Sequence, residues 1–79
     1  MGLAKSEAEI AERAARFLKA ELKRADVTYE ELARRLKEQG LVETRDSIAA
    51  KLKRGTFPAT FFLACLAALQ LESVRLTDI

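Results

Sequence analysis

Residues 27–55 read VTYEELARRLKEQGLVETRDSIAAKLKRG, and the two halves of this stretch carry separate helix start and stop signals. Thr28 stands three residues before Glu31, the spacing of a capping box. In such a box the hydroxyl accepts from the backbone N–H of Glu31, and the carboxylate reaches back to the N–H of Thr28. Val27 and Leu32 take the N′ and N4 positions of a hydrophobic staple. At the far end Gly40 supplies a left-handed residue, with Leu36 and Leu41 at the C3 and C″ positions of a Schellman motif. Four residues on, Thr44 caps a second helix, TRDSIAAKLKRG, which Gly55 closes in the same way. The stretch predicts helix, turn, helix.

Upstream, Ser6 and Glu9 form another capping box and open a helix over 7–24. Ile10, Ala14, Phe17, Leu18, Leu22 and Ala25 recur at steps of three and four, so one stripe faces a core. Glu12, Arg13, Arg16, Lys19 and Lys23 occupy the other side, where mixed signs at helical spacing read as a solvated face. Asp26 tolerates the tight turn that ends this helix. The motif helices follow at 29–39, with Leu32, Ala33 and Leu36 inward, and at 45–54, with Ile48, Ala49 and Leu52 inward. That leaves Asp46, Ser47, Ala50, Lys53 and Arg54 outward and Lys51 on the flank. Lys51, Lys53 and Arg54 make the last turn basic, which also complements the helix dipole.

Downstream, Pro58 holds Phe57 extended, and either Thr56 or Pro58 can begin the helix that follows over 59–70, ATFFLACLAALQ. Phe62, Cys65, Leu66 and Leu69 form a stripe expected in the core. Phe61, Leu63, Ala64, Ala67 and Ala68 lie elsewhere on the circumference. A helix apolar all round is either central or covered by a partner, and in so small a chain a second copy is the economical cover. A homodimer is therefore expected, with Phe61, Leu63 and Ala67 near its interface. The tail 72–79 fits a short strand or a last helical turn equally well.

Composition agrees with one all-α domain of four helices, or five if the tail adds one. Seventy-nine residues suffice for a single modest core; 49% are hydrophobic and 33% charged, the balance of a globular helical chain. Net charge is +2, which permits an acidic partner without demanding one. Cys65 is the single cysteine, so no disulfide forms within the chain and a reducing, cytoplasmic setting is expected. Residues 1–7 show no apolar core of a secretion signal. The uncharged run 56–71 falls short of the ~20 residues that span a bilayer. Histidine is absent. No metal-ligand spacing, Gly-rich phosphate loop or nucleophile beside a base appears. Neither an enzyme nor a cofactor is expected.

Thr28, Glu30, Glu31, Leu32 and Ala33, then an Ala- and Lys-rich helix ending in Arg54-Gly55, then Pro58 and a Leu/Ala helix, resemble the phage-repressor-like (Cro and XRE type) helix-turn-helix domain. The resemblance spans residues 17–69. Three departures mark a divergent branch. Leu36 to Ile48 is about five residues longer than usual, so either the first motif helix gains a turn or the turn becomes a loop. The second motif helix aligns only with a one-residue shift or with Ala49 as the inward aliphatic. Tyr29 stands where that family often carries a phosphate-binding Gln.

What the resemblance implies is a bacterial or phage transcriptional regulator that binds double-stranded DNA, with helix 45–54 in the major groove. Thr44, Arg45, Asp46, Ser47 and Ala50 would meet base edges, Arg45 foremost because a guanidinium can bridge O6 and N7 of guanine. Thr28 and Tyr29 at the first motif helix's N-terminus, with Lys51, Lys53 and Arg54, would hold phosphates. The alternative is a protein-interaction module that keeps the fold without binding DNA. Residues 26–55 hold seven basic and six acidic side chains, a weak electrostatic footprint, and Asp46 has the wrong sign for phosphate.

Overall fold

Each of the three predicted N-caps closes a helix start in the computed structural model, which describes residues 6–79; the reading of residues 1–7 as lacking a secretion signal falls mostly outside them. Ser6 Oγ accepts from Glu9 N–H at 3.2 Å and opens α1, Glu7–Ala25. Thr28 Oγ1 accepts from Glu31 N–H at 3.1 Å and opens α2, Tyr29–Glu38. Thr44 Oγ1 accepts from Ser47 N–H at 3.0 Å and opens α3, Arg45–Arg54. Pro58 leads into α4, Ala59–Ala68. A 3₁₀ turn at Leu76–Asp78 resolves the tail, and no strand occurs among the described residues. The chain is a compact all-α domain of four helices, as expected, with the predicted helix bounds met to within two residues.

Helix ends follow one pattern. Gly40, at φ +87°, forms the expected Schellman motif: its N–H donates to Lys37 O and that of Leu41 to Leu36 O, both at 3.0 Å. Asp26 does the same for α1 at φ +59°, with Val27 N–H on Leu22 O at 2.9 Å. Gln70 (φ +62°) and Leu71 repeat the arrangement after α4, which ends at Ala68, two residues before the expected end. Gly55 closes α3 at φ +80°.

Leu18, Leu22, Leu32, Leu36, Ile48, Leu52, Phe61 and Cys65 form the core, with α2 packed against both α3 and α4, and α1 across α3 and α4. Two expectations about it are corrected. On α1 the buried small residue is Ala15, while Ile10 is 37% exposed and Ala25 exposed. At ~1.5 Å per residue α1 is about 28 Å long and α3 and α4 about 15 Å each, so its ends overhang them. On α4 the core face is Phe61, Ala64, Cys65, Leu66 and Ala68, with Phe62 and Leu69 only half-buried. Phe61 is 1% exposed and belongs to the core, not to a dimer interface. Phe57 folds back between Phe61 and Phe62, with ring centroids at 5.3 and 6.1 Å. Leu71 and Val74 pack on the core as well. The chain thus covers most of α4 by itself and leaves Leu63, 62% exposed, and Ala67 outside.

Side chains of α2 and of its C-cap residue also fasten α4. Arg35 Nη1 donates to Ala68 O at 3.0 Å and Gln39 Nε2 to Ala64 O at 3.1 Å. Ala68 O lies at the C-terminal end of α4, where helical partners run out and the dipole favours a cation, and Ala64 O lies one turn earlier.

Candidate nucleic-acid interface

The lengthened connection between the motif helices is a loop, residues 39–44, not an extra helical turn. Its course is set by two anchors: Leu41, packed on the core, and Glu43. The Glu43 carboxylate receives Ser47 Oγ–H at 2.6 Å and Lys51 Nζ at 3.0 Å. Glu43, Ser47 and Lys51 stand four residues apart, so one carboxylate at the foot of α3 gathers two donors from its first two turns. Lys51 Nζ also lies 5.6 Å from the Phe61 ring centroid, within cation–π range. With side-chain exposures of 23% for Lys51 and 12% for Glu43, the pair is a partly buried clasp on the α4 side of α3.

This clasp changes the roles expected of several residues. Lys51 is turned inward and neutralised, so it is not a free cation for phosphate. Ser47 Oγ accepts from Thr44 N–H at 2.8 Å while Thr44 Oγ1 takes Ser47 N–H. Both hydroxyls are therefore engaged in a reciprocal cap rather than offered outward. The register of α3 is now defined: Ile48 and Leu52 point in, at 0% and 2% exposure, Ala49 is half-buried, and Asp46, Ala50, Lys53 and Arg54 point to solvent.

Arg45 is exposed despite its place on the helix wheel beside Ile48, because it sits at the helix start. Its Nη2 lies 3.5 Å from Asp46 Oδ1, and both side chains are largely in water. Arg54 lies over the following turn, donating through Nε to Thr56 Oγ1 at 2.9 Å and through Nη2 to Thr56 O at 3.2 Å. Neither Lys53 nor Arg54 has a carboxylate partner among the described residues.

At the start of α2, Thr28 is exposed but its hydroxyl is held by the cap, and Tyr29 is half-buried against the core. The Glu31 carboxylate does not complete the capping box. It turns instead to Arg34 Nη2 at 2.6 Å and Arg35 Nε at 2.8 Å. Hydrogen bonds from Arg34, then Arg35, hold its carboxyl down at about 2 from an ordinary 4.5; the same contact pushes the Arg34 guanidinium further up. Sequence reading passed over Arg35, Gln39 and Glu43. Only the four-residue spacing of Glu43, Ser47 and Lys51 was visible as a signal.

No group of metal-ligating side chains occurs among the described residues. Cys65 is buried, and burial pushes its thiol up to about 12, with the Glu43 charge adding to the shift. It is a protonated core residue. No helix among the described residues is long and apolar enough to cross a membrane.

No curated protein and no solved structure matches the chain significantly. A family model described as a domain of unknown function, DUF6471, matches residues 1–74, nearly the whole of it. The chain belongs to the DUF6471 family.

Proposed function

We propose that the chain is a DNA-binding module of the helix-turn-helix kind, a bacterial or phage transcriptional regulator that lays α3 in the major groove and works in the cytoplasm. The observation that supports this most is the outer face of α3. It presents Arg45, Asp46 and Ala50 in succession to solvent and ends in Lys53 and Arg54, two cations with no carboxylate partner among the described residues.

In this reading Arg45 bridges guanine O6 and N7, Asp46 accepts from cytosine N4 and the Ala50 methyl meets a thymine methyl. Lys53 and Arg54 hold phosphates, joined by the N–H groups that open α2 around Thr28 and Tyr29. Weak self-association across Leu63 and Ala67 would pair two such modules on a symmetric site. Titration of the protein against random duplex DNA at low and physiological salt tests the proposal. Binding whose log K falls linearly with log salt supports it, and no binding at low salt sinks it.

A protein-interaction role is the second reading. It is favoured by the capped hydroxyls of Thr44 and Ser47 and by the neutralised Lys51, which leave α3 few groups for base readout. It predicts DNA binding that is weak, indifferent to Arg45 and gone at physiological salt.

A further inference from the structure

Between α1 and the C-terminal end of α3 lies an open groove of about 460 Å³. Ala15 and Leu52, both buried, line its base; Arg16 and Lys19 of α1 face Lys53 and Arg54 of α3 across it, and Glu12 is the one carboxylate along it. Among the described residues Lys19, Lys53 and Arg54 form no ion pair. Arg16 meets Glu12 only at 3.5 Å, with the two side chains 69% and 71% exposed. Four cations from two helices thus converge against one loosely held acid, in a chain whose net charge is only +2.

We infer that this groove seats a phosphate of the nucleic-acid backbone, so that the contact track of α3 continues onto α1 through Arg16 and Lys19. The inference rests on the DNA-binding reading above and extends it to a helix that the sequence marks only as a solvated face. Like charges held close raise the free energy of the unbound molecule, and a polyanion relieves that repulsion. The alanines along α1 leave the groove open where longer side chains would fill it. Lys53 and Arg54 lie at the junction, so a strand leaving α3 meets Arg16 and Lys19 next. Glu12 opposes binding there.

The test is a titration of a fixed duplex against Arg16→Ser, Lys19→Ser, Lys53→Ser and Glu12→Gln, with Lys37→Ser on α2 as the remote control. Each variant is first shown by circular dichroism to keep its helicity. If one phosphate contact is lost, the slope of log K against log salt flattens by ~0.9, and affinity falls about 15-fold at 0.05 M salt and about 5-fold at 0.15 M. Arg16→Ser and Lys19→Ser are expected to behave in this way, as Lys53→Ser does, while Glu12→Gln tightens binding and Lys37→Ser does neither. If Arg16→Ser and Lys19→Ser match Lys37→Ser while Lys53→Ser still flattens the slope, the α1 track is overturned and the DNA reading stands. If Lys53→Ser is silent too, or the parent protein binds no DNA, both fall.

Discussion

Replacing Lys51 with Met separates the two roles open to this side chain. Its ammonium sits 3.0 Å from Glu43 Oε1, with the pair 23% and 12% exposed. Exposed pairs are worth about 0–1 kcal/mol, and breaking a fully buried pair costs about 3–5 kcal/mol because a bare charge is left behind. This pair lies between, and Glu43 keeps Ser47 Oγ as a donor, so a loss of about 1–2 kcal/mol is expected. Unfolding entropy of ~2.1 cal/mol/K per residue gives ~170 cal/mol/K for this chain, so a loss of ~1.5 kcal/mol lowers Tm by about 9 °C. Adding Glu43→Gln to Lys51→Met should restore part of it, since an amide can still accept from Ser47 without an uncompensated charge.

Thermal melts and a DNA salt titration on the same variants form the assay. The clasp predicts a lower Tm and an unchanged salt slope for Lys51→Met. An unchanged Tm together with a slope flatter by ~0.9 would refute the reasoning, and would return Lys51 to the phosphate contacts that the sequence alone suggests.

Gly40→Ala should destabilise by about 1 kcal/mol, the left-handed strain of ~1–2 kcal/mol offset in part by the stiffer unfolded chain. A Cβ there meets nothing within 4 Å, so the cost is backbone strain alone, and an unchanged melt would remove the Schellman turn from the argument. Leu63→Glu should leave helicity intact, because Leu63 is 62% exposed, and should abolish any concentration-dependent mass in light scattering. Loss of folding in that variant would place Leu63 in the core. For Glu31 the folded carboxyl is held at about 2 against 4.5, so its stabilisation is present above pH ~4.5 and lost as pH falls through ~2. The Tm gap between the parent and Glu31→Gln should accordingly be flat above pH 5 and close between pH 4.5 and 2; a gap constant down to pH 2 would show that the Arg34 and Arg35 contacts are not formed in solution.

Local chemistry made the helices legible in the sequence. Ser6, Thr28 and Thr44 cap because a short hydroxyl reaches the N–H three residues on, and Gly40 and Gly55 stop helices because they adopt positive φ without strain. Such signals act within one turn of chain, so spacing alone exposes them. The periodicity of α2 and α3 likewise identified Leu32, Leu36, Ile48 and Leu52 as core.

What neighbours decide was not legible in that way. α4 is apolar nearly all round, so no wheel could choose between Phe61 and Phe62; Phe57, folding back from the linker, leaves Phe61 deep and Phe62 half-covered. Lys51 reads as a cation on the helix flank, free for phosphate, until the α2–α3 loop brings Glu43 beneath it. Arg16 and Lys19 read as solvated until α1 crosses the end of α3 and sets them opposite Lys53 and Arg54. Caps and periods are properties of a segment, whereas the charge a side chain faces is a property of the packing. The helices could therefore be found from the sequence, but the candidate interface required the tertiary structure.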